Sequence, residues 1–286
     1  MKIGIIVDLL KLPLTRGIAT AAALGADGIQ LYAIGKDCNF LKMSRGQIWE
    51  LRQRCRDAGM TVSAVCGDLG GHGFQIAAEN PNKLMALKRI IDGTVELGCR
   101  IVTTHIGVIP ADHHSETYQV MQKAIFELAE YACQCGTVIA IETGPEPATV
   151  LNRFIGEVGS KGVGVNLDPA NLVMVLDEDP IAAVHTLRRH IVHTHAKDGI
   201  HYRQGNPQKI YHAFAEGGFE QLEAETGTLF AEMPLGQGQI DWPGYLLALK
   251  AIGYDGFLTI EREVGENPIT DITRAMDFLK QQLATI

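Results

Sequence analysis

The sequence of 286 residues lacks an excess of positive charge, because 25 Lys and Arg stand against 33 Asp and Glu and leave a formal net charge of −8. Binding to a nucleic-acid backbone needs clustered cations, so we expect no nucleic-acid partner. No run of 18 apolar residues is present, so we expect no membrane partner. The opening stretch MKIGIIVDLLKLPL carries Asp8 and Lys11 inside its apolar run, which is unlike a signal peptide. We therefore expect a cytoplasmic protein.

Paired cysteines and a glycine-rich phosphate loop are also missing. None of the six cysteines forms a CxxC pair, which disfavours a zinc ribbon or a disulfide framework. The junction after the first apolar run reads VDLLKLPLT and contains no glycine, whereas nucleotide-binding α/β folds place a glycine-rich loop there. We expect no nucleotide cofactor. No Pro/Gly/Ser linker divides the chain, which predicts one domain over residues 1–286.

Short β-branched runs alternate with segments of helical period along the whole chain. The predicted strands are 3–7, 28–32, 61–66, 100–105, 137–142, 162–167, 190–195 and 256–261. The predicted helices lie near 13–25, 44–58, 81–98, 115–135, 147–159, 179–188, 241–252 and 268–283. Eight such repeats predict an α/β protein of the (β/α)₈ TIM-barrel class, with a doubly wound open sheet as the alternative. Residues 198–240 stand apart as a long polar stretch, which we interpret as a loop insertion with a role as a lid or interface.

The last four predicted strands all run into an ionisable residue at the carboxyl end, where barrels of this class carry their active sites. These residues are Glu142, Asp168, His195 and Glu261. Each alone has a structural explanation, such as a turn, a helix cap or an ion pair. Together, three carboxylates and an imidazole at one end of a barrel would repel and desolvate one another unless a cation lay between them. Strand parity places His193 on the same face as His195 but deeper, where it would pack below the site or bond to a ligand carboxylate.

Three oxygen ligands and one nitrogen ligand suit a hard to borderline divalent ion. We expect one such ion at Glu142, Asp168, His195 and Glu261, with Mn²⁺ first and Mg²⁺ or Co²⁺ as alternatives. A closed structural zinc site would instead favour Cys and His ligands.

These residues also carry a resemblance to a known family. The segments VIAIET (138–143), VNLDPAN (165–171), HTHAKD (193–198) and LGQGQIDWPGYLLALKAIGYDGFLTIERE (235–263) resemble the xylose isomerase-like sugar isomerases and epimerases, and in particular their ketose 3-epimerase branch. The resemblance implies a TIM barrel, one divalent metal on the four residues named above, and Glu142 and Glu261 as the proton-transfer pair. It also implies a homo-oligomer, a dimer or tetramer.

The sequence departs from the family pattern at substrate-facing positions. Asn171 stands where many relatives have His, Gln30 stands where many have an acidic residue, and the family arginine has no aligned match, although Arg203 is nearby. Five residues near the predicted mouth are candidate substrate contacts: His105, Glu146, Asn171, Lys197 and Arg203. Lys197 has a structural alternative as well, an ion pair with Asp198 or Glu232.

The function that the resemblance implies is movement of a proton beside a ketose carbonyl through an enediolate, on a small sugar or sugar phosphate. Two glutamates from strands three apart can reach two faces of a sugar, which favours C3 epimerisation over C1–C2 isomerisation. A metal-dependent dehydratase of the inosose or dehydroshikimate type remains the alternative. An apurinic-site endonuclease and a non-catalytic sugar-binding protein fit less well, the former because of the negative charge and the latter because a pure binder has no use for a metal site.

Overall fold

Eight short strands, each parallel to its two neighbours, close into a barrel in a computed structural model that describes residues 1–286. The barrel strands are β1 (Lys2–Ile6), β2 (Gly28–Tyr32), β3 (Thr61–Cys66), β4 (Ile101–Thr104), β5 (Val138–Glu142), β6 (Val163–Leu167), β7 (Ile191–Ala196) and β10 (Phe257–Ile260). They follow one another around the barrel in chain order, and β10 closes the ring against β1. The predicted (β/α)₈ barrel is therefore confirmed, and each predicted strand agrees with the observed one to within one residue at either end.

Helices surround the barrel and fill most of the connections between its strands. They are α1 (Leu14–Ala23), α2 (Arg45–Asp57), α3 (Asn80–Leu97), α4 (Glu116–Gln134), α5 (Ala148–Val158), α6 (Pro169–Asn171), α7 (Pro180–Leu187), α8 (Pro207–Glu216), α9 (Phe219–Thr226), α10 (Trp242–Ala251) and α11 (Pro268–Leu283). A 3₁₀ turn over Val7–Leu10 follows β1, and a π-helical turn over Leu172–Leu176 continues α6. None of these helices combines the length and the apolar character needed to cross a bilayer.

Local signals explain where the helices begin and end. Ser44 starts α2 with a capping box, in which its side chain accepts from the Gln47 amide and Gln47 reaches back to the Ser44 amide. Gly98 ends α3 at φ 90°, a left-handed conformation that costs little without a Cβ atom. Helix ends of this kind let the chain turn back to the amino end of the barrel, so that all eight strands run in the same direction.

Residues 198–233, here called the cover segment, are the main difference from the predicted architecture. We predicted a polar loop there, but the chain forms an antiparallel hairpin of β8 (Asp198–His201) and β9 (Phe230–Met233) with α8 and α9 between the two strands. Helix α8 begins with an Asn206 side-chain cap and with Pro207 in its first turn.

The cover segment is fixed to the barrel through the buried carboxylate of Asp198. The Asp198 Oδ2 atom accepts hydrogen bonds from the Gly236 amide and from the Trp242 indole Nε1, both at 2.9 Å. Its Oδ1 accepts from the amide of Gly199 at 2.9 Å. One side chain therefore joins the start of the hairpin to the loop before α10.

Candidate metal centre

Four side chains converge at the carboxyl ends of neighbouring barrel strands. Glu142 is the last residue of β5, Asp168 directly follows β6, His195 is the penultimate residue of β7, and Glu261 directly follows β10. All four are buried, with Asp168 fully inaccessible to solvent. One potential ligand atom from each lies within 4.8 Å of those of the other three. The structure thus brings together all four residues that the sequence predicted as ligands.

The imidazole of His195 lies among the three carboxylates. Its Nδ1 atom is 3.0 Å from Glu261 Oε2, 3.4 Å from Glu142 Oε1 and 3.5 Å from Asp168 Oδ2. Burial opposes a charge on this ring, but the negative charges of Glu261 and Glu142 outweigh it and raise the His195 pKa well above its ordinary value. The site therefore strongly favours a positive charge at its centre.

Two buried carboxylate oxygens at this centre have no hydrogen-bond partner, namely Asp168 Oδ2 and Glu261 Oε2. The other oxygen of Asp168 accepts from the amides of Ala170 and Asn171 at 2.8 and 3.0 Å, so this residue caps α6 with one atom and leaves the second free. The neighbours of Glu261 Oε2 are charges in ionic contact without hydrogen-bond geometry. Because an unpaired buried carboxylate is costly, these atoms fit a bound cation, and the four residues could hold a metal ion.

A buried hydrogen-bonded chain holds Glu142 from below. The Asn166 amide donates to Glu142 Oε2 at 3.1 Å, and Asn166 Oδ1 accepts from His193 Nδ1 at 2.9 Å. Burial, followed by the charge of His195, lowers the His193 pKa well below its ordinary value, so His193 is neutral and its Nε2 accepts from the Thr259 hydroxyl. His193 therefore packs below the site and reaches the ligand set through Asn166. Sequence analysis missed Asn166, although a polar residue inside the apolar strand VGVNL is a visible signal.

Gln30 on β2 orients the ring of His195. Its Oε1 lies 3.3 Å from His195 Nε2, and its amide nitrogen donates to Thr103 Oγ1 at 3.5 Å. The Nε2–H of His195 donates to Gln30, which leaves Nδ1 facing the three carboxylates. Partners of this kind fix the tautomer of a metal-binding histidine and raise its affinity for the ion.

His105 and Asn171 lie beside Glu142 and line a cavity that opens above the four residues. His105 Nδ1 is 2.9 Å from Asp68 Oδ2, and its Nε2 is 3.7 Å from Glu142 Oε1. Burial lowers the pKa of His105, but Glu142 and Asp68 outweigh it and raise the pKa to about 10. The Asn171 amide donates to Glu142 Oε1 and to the Thr143 carbonyl, both at 3.2 Å. Both residues can therefore position Glu142 and meet a ligand in the cavity.

Lys197 also lines the cavity, and its ion pairs differ from those considered in the sequence. Its ammonium group lies 2.7 Å from Glu263 Oε2 and 3.4 Å from Glu261 Oε2, whereas we had considered Asp198 or Glu232. Burial lowers its pKa, but Glu261 and Glu263 outweigh burial and raise the pKa well above the ordinary value. Lys197 therefore stays charged next to one of the candidate ligands.

The structure does not bring Glu146 and Arg203 to the cavity. Glu146 is buried beneath the surface, where its Oε2 accepts from the Ile109 amide at 3.5 Å, and burial raises its pKa to about 8. Arg203 is exposed on the cover segment and donates to the Thr226 carbonyl at 3.1 Å. The cavity wall that faces the four residues is formed instead by aromatic side chains of the cover segment, which the sequence did not single out.

The protein is a closed eight-stranded parallel barrel with three buried carboxylates and one buried histidine at its carboxyl end. Barrels of this class can hold one metal ion in that position. A family profile described as "Xylose isomerase-like TIM barrel" matches residues 18–282, and the chain belongs to this family. It is also similar to an uncharacterized protein of Methanocaldococcus jannaschii, with 25% identity over 260 residues, which cover 84% of this chain and 74% of that protein.

Three solved structures show the same fold over nearly the whole chain. The xylose isomerase domain protein from Planctomyces limnophilus has a TM-score of 0.80 and 24% identity, with 100% of this chain and 97% of the other covered. A probable 3-DHS dehydratase from Bacillus anthracis has a TM-score of 0.77 and 17% identity, with 98% and 99% covered. The D-psicose 3-epimerase from Clostridium cellulolyticum H10 has a TM-score of 0.73 and 18% identity, with 99% of each chain covered.

Proposed function

We propose that the protein is a divalent-metal-dependent sugar epimerase or isomerase that moves a proton next to a ketose carbonyl. The observation that carries this proposal is the pair Glu142 and Glu261, whose carboxylates both face His195 Nδ1 at one end of the barrel. Membership in the xylose isomerase-like family supports it, as does the fold shared with a ketose 3-epimerase. The C–H bond beside a ketone is weakly acidic, so the reaction needs a base, an acid and a positive charge near the carbonyl oxygen.

We place the two glutamates on opposite sides of the bound ketose. Glu142 ends β5 and Glu261 follows β10, with β6 and β7 between them in the barrel. A ketose lying between them meets one carboxylate on each face. In our proposal one glutamate, as the carboxylate, removes the C3 proton, and the other, as the carboxylic acid, returns a proton to the opposite face of the enediolate. This arrangement favours C3 epimerisation over C1–C2 isomerisation.

The residues proposed to hold the metal are Glu142, Asp168, His195 and Glu261. Three oxygens and one nitrogen suit Mn²⁺ first, with Mg²⁺ or Co²⁺ as alternatives. When bound, a divalent ion supplies Lewis-acid polarisation of the carbonyl.

Three residues at the mouth would bind and orient the sugar in this proposal. His105 and Asn171 flank Glu142, and Lys197 flanks Glu261, so each glutamate has a hydrogen-bond donor beside it. A homo-oligomeric state, expected from the family resemblance, stays a prediction that sedimentation velocity can measure.

The test is proton exchange in D₂O with Mn²⁺-loaded protein and a panel of free and phosphorylated ketoses, followed by proton NMR. Loss of the C3 signal together with a new diastereomer is the expected result. Loss of signal at C1 would favour isomerisation, and a product with a conjugated double bond would favour the dehydratase alternative. No exchange with any compound, with metal shown to be bound, would overturn the proposal.

The roles of the two glutamates are tested separately. Glu142→Gln and Glu261→Gln keep the size of the side chain but cannot carry the proton, so each is expected to slow exchange at least about 10²-fold. Glu178→Gln is the matched control, because Glu178 is a half-buried carboxylate that accepts a hydrogen bond from the Ala148 amide. If both active-site variants exchange at the rate of the control, the acid–base assignment is wrong.

A further inference from the structure

The cavity above the four residues is larger than a single sugar ring needs. Its volume is about 810 Å³, toward the upper end of the roughly 300–1,000 Å³ typical of pockets that hold drug-sized ligands. Glu142 and Glu261 lie on its barrel side, and the cover segment forms the facing side. A ketose bound at the glutamates would therefore leave space between itself and the cover segment.

The charges around this cavity disfavour a phosphorylated substrate. Six carboxylates line it, from Asp68, Glu142, Glu223, Glu232, Glu261 and Glu263. Lys197 and His105 are the cations of the lining, and both are already paired, Lys197 with Glu263 and Glu261 and His105 with Asp68 and Glu142. A phosphate ester adds a charge of about −1.5 to −2, and it would meet no unpaired cation here. Even a bound divalent ion would leave the lining negative.

The cover segment offers the cavity an aromatic surface. Phe214, Phe219 and Phe230, here called the aromatic wall, pack on one another: Phe214 and Phe219 are stacked with ring centroids 4.4 Å apart, and Phe219 and Phe230 are tilted with centroids 5.5 Å apart. All three line the cavity, and Phe214 is 59% exposed. When an apolar group covers an exposed apolar surface of this kind, the free energy of the complex is lowered.

We infer that the substrate carries no phosphate and bears an apolar substituent that packs on the aromatic wall while its ketone end lies at Glu142 and Glu261. This inference rests on the proposed function, because it places the ketone at the two glutamates. The three rings of the aromatic wall themselves carry no hydrogen-bonding group, so their surface is best matched by a group that is apolar throughout. A second copy of the chain is the less suitable occupant, because the wall shares one continuous cavity with the glutamates.

The test compares three ketoses that differ only at the oxygen on C6, namely D-fructose, 6-O-benzyl-D-fructose and D-fructose 6-phosphate. Binding to the Mn²⁺-loaded full chain is measured by saturation-transfer NMR titration, and C3 exchange is followed in D₂O. We expect the benzyl ether to bind at least about tenfold tighter than D-fructose, and the phosphate ester to bind no tighter than D-fructose. Ten-fold corresponds to about 1.4 kcal/mol.

Variants of two exposed phenylalanines locate the effect. Phe214→Ala is expected to reduce the benzyl preference to about twofold or less. Phe126→Ala is the matched control, because Phe126 is 48% exposed on α4 and does not line the cavity. A preference for the phosphate ester, or a benzyl preference that survives Phe214→Ala, overturns the inference. The inference is also overturned if Phe214→Ala converts a dimer to a monomer in sedimentation velocity while the benzyl preference is unaltered, because the wall would then be an interface between copies of the chain.

The two readouts separate this inference from the proposed function. A benzyl preference in binding, with no exchange for any of the three ketoses, supports the aromatic subsite and counts against the epimerase proposal. Exchange without a benzyl preference supports the epimerase proposal and counts against the aromatic subsite.

Discussion

The double use of Asp168 allows metal binding to be removed without removing the helix cap. Asp168 Oδ1 accepts from the amides of Ala170 and Asn171, and Oδ2 faces His195 without a hydrogen-bond partner. In Asp168→Asn, the amide oxygen can keep the cap, while an NH₂ group replaces the free oxygen. The variant therefore loses a candidate metal ligand and also a buried negative charge.

The expected magnitudes follow from these two roles. With Mn²⁺ at about 100 times its dissociation constant, the wild type gains about 2.7 kcal/mol of unfolding free energy, or about 4–5 °C in Tm for a chain of this size. Asp168→Asn should gain none of this. Without metal it should lie within about 1–3 kcal/mol of the wild type, because it relieves repulsion among the buried carboxylates but loses the ionic contact of Oδ2 with His195. Asp168→Ala should lose the metal response and also about 1 kcal/mol for the cap.

The assay is thermal unfolding followed by circular dichroism, in EDTA and in excess Mn²⁺, with metal content measured by mass spectrometry. Asp179→Asn is the matched control, because Asp179 caps α7 in the same way but lies on the exposed surface. It should keep the full response to Mn²⁺. A Mn²⁺-dependent rise in Tm of equal size in Asp168→Asn and the wild type would refute the assignment of Oδ2 as a ligand atom, and a wild type without any response would refute the metal centre itself.

Three further predictions concern residues around the centre. Gln30→Leu removes the acceptor for His195 Nε2 and should weaken Mn²⁺ binding about 10–100-fold, measured by competition with a fluorescent chelator; unchanged affinity would mean that Gln30 does not orient the ring. Because burial raises the Glu146 pKa from 4.5 to about 8, the folded state holds this proton after the unfolded state has released it, so stability is lost as the pH rises between these values. The unfolding free energy of Glu146→Gln relative to that of the wild type, measured in urea, should therefore rise by up to about 1.4 kcal/mol per pH unit between pH 5 and 8. A difference that does not depend on pH would contradict this. Asp198→Ala leaves the Trp242 indole and the Gly236 amide without their acceptor and should lower the unfolding free energy by about 2–4 kcal/mol, also in urea; a loss below about 0.5 kcal/mol would show that other contacts hold the cover segment.

The barrel and the convergence of its four candidate ligands could be predicted because both depend on local periodicity. Buried parallel strands read as short β-branched runs, and their carboxyl ends meet at one edge whatever the details of packing. Glu142, Asp168, His195 and Glu261 each stand at such an end, so their convergence required only the number and direction of the strands.

The contacts across the barrel could not be predicted in this way. The pairing of Gln30 with His195, and of Asn166 with Glu142 and His193, depends on the stagger of strands that are far apart in sequence. The path of the loops is equally hidden, which is why the burial of Glu146 and the position of Arg203 away from the cavity were not foreseen. Helices α8 and α9 escaped notice because they are only ten and eight residues long and lie outside the regular alternation of barrel strand and helix.

The attachment of the cover segment has a consequence for how this chain could diversify. Every residue proposed to take part in proton transfer or metal binding comes from a barrel strand or the residue directly after it, whereas the aromatic wall comes from one contiguous stretch between β7 and α10. That stretch is fastened at its base by Asp198. Exchange of residues 199–231 for another sequence of similar length would replace the aromatic wall and keep Glu232, which pairs with Arg262 next to Glu261. If the proposed function is correct, new substrate ranges can therefore arise by replacing one contiguous segment.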